Sequence, residues 1–161
     1  MKSLIVIAIA AAAGCGQEIG DSCSVDSDCD PTGTEMRTCD VTQPSGYCTM
    51  QGCDYDTCPS EAVCVSFFMG SFENEMCTYP DDPTKACSLD EVCTLQGECT
   101  PRNSEVRFCM RKCSSNGDCR DGYECRTYDE MISHGGQPVL APGLTLSSQD
   151  APKFCAVKPA G

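Results

Sequence analysis

Apolar positions crowd the first thirteen residues, and no later run is as long. Leu4 to Ala13 form ten consecutive apolar residues behind Met1, Lys2 and Ser3, and the run stops at Gly14, ahead of the polar Gln17, Glu18 and Asp21. A membrane-spanning helix needs about twenty such residues. The segment therefore reads as a secretory signal with a short positive n-region. Beyond it, Gly, Pro, Asp and Ser interrupt the chain every few residues, so no window sustains a helical period and sparse, short strands are predicted. The clearest strand signal is Ala62 to Phe68, with Met69-Gly70-Ser71 as a turn and Phe72 to Tyr79 returning as a β-hairpin. A second pair, Tyr123 to Tyr128 and Lys153 to Val157, is predicted with a long insertion in place of the turn.

The signal ends in Ala12-Ala13-Gly14-Cys15, which resembles the lipobox cut by bacterial lipoprotein signal peptidase, with Ala12 where that family usually has Leu. The resemblance implies removal of residues 1–14 and a diacylglyceryl group, with palmitate, on Cys15. Ala11-Ala12-Ala13 also satisfies the rule for ordinary signal peptidase, which would cut after Ala13. Parity favours the lipid, because the chain holds 17 cysteines and assigning Cys15 to an acyl anchor leaves an even number. Residues 15–22 would then be a tether with a reach of at most roughly 25 Å from Gly16 to Ser22. Gly16 is not the Asp that marks inner-membrane retention in such lipoproteins, so the resemblance implies the outer membrane or cell surface.

The other sixteen cysteines define the fold class: a small disulfide-rich protein with short β-hairpins and little helix. Their number exceeds the roughly 8–10% that marks a disulfide scaffold in an exported chain. With no Trp and five Phe, little core is available, and bridges must supply stability. The spacing reads as two tandem eight-cysteine modules. The first, 23–77, holds Cys23, Cys29, Cys39, Cys48, Cys53, Cys58, Cys64 and Cys77, with 5, 9, 8, 4, 4, 5 and 12 residues between them. The second, 87–155, holds Cys87, Cys93, Cys99, Cys109, Cys113, Cys119, Cys125 and Cys155, with 5, 5, 9, 3, 5, 5 and 29. Tyr47 precedes Cys48 as Phe108 precedes Cys109, and Met76 precedes Cys77 as Phe154 precedes Cys155. Residues 78–86, rich in Asp and Pro, read as a linker, and 156–161 as a tail. Connectivity stays open, since eight cysteines allow 105 pairings.

Chemistry-bearing motifs are few. No C-x2-C pair occurs and the exported compartment favours disulfides, so zinc is set aside and no metal or other cofactor is expected. Asp26, Asp28 and Asp30 alternate like the first ligands of an EF-hand, but Pro31 stands where that loop turns on Gly and Arg37 where it ends on Glu. A solvated acidic loop is the better reading. The single histidine, His134, lies in a Ser-His-Gly-Gly segment and reads as a loop residue rather than a general base. The chain is expected not to be an enzyme. A formal charge of −13 disfavours nucleic acid.

The 29 residues between Cys125 and Cys155 form the segment most suggestive of binding, with His134, Val139, Leu140 and Leu144 as its candidate contact residues; a tolerated insertion is the competing reading. The stretch CSSNGDCRDGYEC, Cys113 to Cys125, resembles the cysteine-rich repeats of bacterial surface lipoproteins. More distantly it is similar to the Dickkopf N-terminal cysteine-rich region and to EGF-like domains, although it lacks the Cys-Cys pair of the one and the C-x-C of the other. The resemblance implies a non-catalytic binding or adhesion module facing an unknown protein or glycan, held to the membrane by its lipid. The alternative is a disulfide-stabilised secreted protease inhibitor using the 126–154 loop.

Overall fold

The computed structural model describes residues 17–70, 75–80 and 86–159. Cys15 and the expected signal, residues 1–14, lie outside the described residues. The elements are α1 (Asp26–Cys29), β1 (Thr38–Cys39), β2 (Cys48–Thr49), β3 (Ala62–Phe68), β4 (Glu91–Cys93), β5 (Cys99–Pro101), β6 (Glu105–Arg111), β7 (Tyr123–Arg126), α2 (Tyr128–His134), β8 (Gln137–Pro138) and β9 (Phe154–Val157). All strand pairings are antiparallel, and the small disulfide-rich class expected from the cysteines is the one observed.

All sixteen described cysteines are bridged, and they group in fours rather than eights. Cys23–Cys39 and Cys29–Cys48 make one unit; Cys53–Cys64 and Cys58–Cys109 a second; Cys77–Cys93 and Cys87–Cys99 a third; Cys113–Cys125 and Cys119–Cys155 a fourth. Within every unit the first cysteine bonds the third and the second bonds the fourth. The third and fourth also face each other across an antiparallel ladder: Cys39 opposite Cys48, Cys64 opposite Cys109, Cys93 opposite Cys99 and Cys125 opposite Cys155. Two facing cysteines bonded to two neighbours hold both bridges side by side, which brings three sulfurs of each unit within 4.8 Å of one another.

Local sequence explains why the first and fourth units fold alike. Both begin C-S-x-[D/N]-x-D-C. The second acid ties the turn between the first two cysteines, as Asp28 Oδ2 accepts the amides of Ser24 (2.8 Å) and Val25 (3.2 Å), and Asp118 Oδ2 those of Ser114 (2.7 Å) and Ser115 (2.9 Å). The earlier polar residue takes the amide of the third cysteine: Asp26 Oδ1 that of Cys39 and Asn116 Oδ1 that of Cys125, both at 2.8 Å. Asp30 accepts from Thr34 (3.1 Å) and Glu35 (2.7 Å). The alternating aspartates therefore hydrogen-bond three separate parts of their own backbone.

The third unit is nested inside the second, between Cys64 and Cys109, and this overturns the division into residues 23–77 and 87–155. Bridges Cys58–Cys109 and Cys77–Cys93 both run between the two expected modules. The stretch 78–86, expected as an interdomain linker, is instead the loop in sequence between the first two cysteines of the third unit, with 81–85 outside the described residues. Tyr79 of that loop packs on the main core and accepts the Leu146 amide at 3.0 Å. The hairpin expected of β3 is also re-partnered: β3 pairs with β6 over seven residues, Ala62 opposite Arg111 through Phe68 opposite Glu105, and with β8 on its other edge. Met76, from the expected return strand, bridges Glu98 instead. The pairing of Tyr123–Arg126 with Phe154–Val157 is as expected.

One core joins the units, and aromatic residues placed just before fourth cysteines build much of it. Tyr47 and Phe154 are fully buried, and Phe67 sits 6.4 Å from the Phe108 ring and 6.3 Å from the Phe154 ring. Tyr47 stacks on Tyr123 at 5.4 Å, and the Arg120 guanidinium lies 4.2 Å from the Tyr123 centroid. Tyr47 Oη donates to the Cys155 carbonyl (3.3 Å) and accepts the Arg111 amide (3.0 Å), tying the first unit to the fourth and second. Such close approach requires Gly46, at φ +64°, where a Cβ would fall 2.0 Å from the Cys23 carbonyl oxygen.

Two further expectations are corrected. Residues 17–22 are not a free tether: Ile19 is fully buried, the Gly20 amide donates to the Cys48 carbonyl (2.9 Å) and the Cys48 amide to that of Asp21 (2.9 Å). The tail begins later than 156, since Ala156 is buried and Val157 ends β9. Helix is as little as expected: the longer of the two described α-helices, α2, starts where the Glu130 carboxylate accepts the Thr127 amide (2.8 Å) and stops at Gly135, φ +79°.

Candidate functional site

The central hairpin β3–β6 carries two chemically different ends. At its Ala62–Arg111 end, Arg111 reaches back to Glu18 at 3.0 Å and to the Ile19 carbonyl. At the other end, about 20 Å along seven strand residues, Phe68 and Glu105 open onto a groove of about 620 Å³ between the hairpin, the third unit and the 137–146 segment.

One wall of the groove is polar. Ser66 Oγ donates to Glu105 Oε1 at 2.5 Å, and the same oxygen accepts from Arg107 Nε at 2.7 Å. Arg107 NH1 goes on to Asp54 at 3.0 Å. Burial pushes the Glu105 carboxyl up, but the hydrogen bonds from Arg107 and Ser66 outweigh it and hold the group below its ordinary value. Glu105 is thus a fixed carboxylate, not a proton donor near neutrality. Arg102 lines the rim, exposed, and makes no ion pair with a described residue. The facing wall is apolar, formed by Pro138, Val139, Leu140 and Leu144, with Tyr79 at its base.

Because the folded carboxyl of Glu105 is depressed, its stabilising effect is full above the unfolded value and is lost as pH falls through the folded one. Thermal melts across the acid range are expected to show a shallower loss of stability for Glu105→Gln than for the parent. Equal acid slopes would remove Glu105 from that account.

The candidate residues of the 126–154 segment are only partly brought together. Val139, Leu140 and Leu144 line the groove, whereas His134 lines a smaller adjoining cleft of about 220 Å³ with Gln96 and Gly135. His134 Nδ1 lies 2.7 Å from Glu124 Oε1, and Arg126 contacts that same oxygen at 3.2 Å. Arg126 is buried and donates to the carbonyls of His134 (2.9 Å), Gly135 (2.8 Å) and Val157 (3.0 Å). Burial lowers its pKa. The histidine therefore belongs to a group that closes α2 onto β7. The segment as a whole is built into the fold, with Met131 fully buried, Leu146 buried and Val139 donating its amide to the Cys64 carbonyl (2.8 Å), so its apolar residues largely serve the core; Leu144 stays exposed.

Sequence reasoning missed Ser66, Phe68, Tyr79, Arg102, Glu105 and Arg107. They come from three stretches that meet only through the nesting, and none carries a motif of its own. Three sulfurs converge in each unit, but all of them are in disulfides. No known family model, no curated protein and no solved structure matches this chain.

Proposed function

We propose that the chain is a cell-envelope lipoprotein, acylated on Cys15, that acts without catalysis by binding a protein or glycan partner in the groove between the β3–β6 hairpin, the third unit and the 137–146 segment. Eight disulfides are the mark of an exported protein. The observation that carries the anchor is the complete pairing of the other sixteen cysteines in a body folded from Gln17 onward. Cys15 is left as the one thiol without a disulfide role, directly behind the small residues Ala12-Ala13-Gly14. Supporting the binding role, the groove sets a fixed charge pair and the exposed Arg102 against an apolar wall, a combination suited to amphipathic ligands. Among the described residues no helix is long and apolar enough to cross a membrane.

The test is Cys15→Ser beside the parent in a diderm host. The parent is expected to incorporate labelled palmitate and to sediment with outer membranes, and the variant to do neither. A parent that is soluble with Gly14 at its N-terminus overturns the anchor.

A further inference from the structure

Only Gly16 separates the acylation point, Cys15, from the first described residue, Gln17. The Gln17 amide donates to the Asp28 carbonyl (3.3 Å), and the Gln17 carbonyl accepts Arg37 NH1 at 2.7 Å. Two residues extend at most about 7 Å, so a lipid on Cys15 leaves the surface around Gln17 no room to stand away from the headgroups. The two segments that hold Gln17 each carry an exposed apolar side chain, while Val41, also exposed in the first unit, belongs to neither. Val25, 54% exposed, precedes α1, whose Asp28 holds Gln17; Met36, 76% exposed, precedes Arg37, which holds it from the other side. The Asp30 carboxylate shapes the loop that projects Met36, through the amides of Thr34 and Glu35.

From this juxtaposition we infer that Val25 and Met36 form a lipid-contact rim, which enters the headgroup boundary of the bilayer holding the anchor. Single exposed apolar residues are ordinary on protein surfaces; these two are distinguished by belonging to the two segments that hold Gln17, the described residue nearest the anchor. Side chains of this size seat a few ångströms into the interface and add to what the acyl chains supply. Glu18 and Asp28 adjoin or hold Gln17, Glu35 adjoins Met36, and Arg37 is already neutralised by Glu35 (3.2 Å) and Glu61 (3.3 Å). The rim is therefore suited to zwitterionic rather than anionic headgroups. The groove lies at the opposite end of the central hairpin from the Arg111–Glu18 contact, so the same arrangement turns it away from the membrane.

The inference rests on the lipoprotein reading, and the experiment separates the two. The chain has no Trp, so Met36→Trp and, as a distal probe, Leu89→Trp, at a fully exposed position of the third unit, each report one place. Full mature chains are coupled through Cys15 to a maleimide phospholipid in phosphatidylcholine vesicles carrying brominated acyl chains. Met36→Trp is expected to be quenched several-fold more than Leu89→Trp, and less so when anionic lipid replaces half of the phosphatidylcholine. A Met36→Trp signal quenched no more than that of Leu89→Trp overturns the rim, with the anchor untouched. Absence of palmitate on Cys15 in cells overturns the lipoprotein reading and with it the rim's natural role, whatever the vesicles show.

Discussion

Cys58→Ala/Cys109→Ala is expected to destabilise the protein by about 3–4 kcal/mol, from the loop-closure entropy that a long bridge removes from the unfolded chain. The bridge spans 51 residues, the longest separation of the eight. Cys77–Cys93 already shortcuts part of that loop, which brings the expected effect toward the lower end. The double substitution also frees the second unit's fourth cysteine from its second, so β6 is held to β3 by its ladder and by packing alone. Urea titration should show a lower midpoint together with a larger m value, since the unfolded chain exposes more surface when less constrained. A change under about 1 kcal/mol would mean the nested unit folds onto the second without needing covalent closure.

Tyr47→Ala is expected to cost about 3–5 kcal/mol, the range for truncating a fully buried aromatic residue. Tyr47 is where the first unit meets the fourth: its ring stacks on Tyr123 and its hydroxyl joins the Cys155 carbonyl to the Arg111 amide. Tyr47→Phe keeps the ring and leaves those two backbone groups without their partner, for an expected loss of about 1–3 kcal/mol. Burial pushes the hydroxyl from its ordinary value of 10.0 up to about 12. A group whose folded pKa is raised stabilises fully below its unfolded value and loses that effect as pH rises through the folded one. Parent stability should therefore decline between pH 10 and about 12, and Tyr47→Phe should lack that part of the decline. Chemical denaturation at neutral and alkaline pH measures both effects. If the two proteins decline alike, tyrosine ionisation at this position is not coupled to folding.

How far the sequence can be read is settled by what each residue needs in order to show its role. Bridging was legible from the number of cysteines and the exported context, and β7 with β9 from local β-propensity at Tyr123 and Phe154. The repeat was visible too, but its register was not. Matching Tyr47-Cys48 with Phe108-Cys109 paired two fourth cysteines and was sound, whereas matching Met76-Cys77 with Phe154-Cys155 set a first cysteine against a fourth. The spacing of third and fourth cysteines carries no constraint, because insertions fall there: 8 residues separate Cys39 from Cys48 and 29 separate Cys125 from Cys155. A linear count cannot see that the third unit interrupts the second. The same blindness hid the partner of β3, and with it the groove, whose polar wall needs Ser66 and Glu105 to be neighbours across 39 residues of chain. Helix α2 was announced by Thr127 and Glu130 in a capping-box spacing, a signal outweighed by the Gly and Pro that follow.

The ladder from Cys64–Cys109 to Phe68–Glu105 ends with two strands side by side, and everything between them, a whole bridged unit, leaves and returns through one narrow gap. Such a gap is a socket. A folded insert whose own termini lie a strand's width apart can occupy it without asking the surrounding ladder to move, and its internal bridges close within itself. Cys77–Cys93 and Cys87–Cys99 do close that way. The architecture thus admits growth by grafting at hairpin tips, where each new insert brings a fresh rim of side chains to the same end of the molecule while the four-cysteine staples behind it stay unchanged.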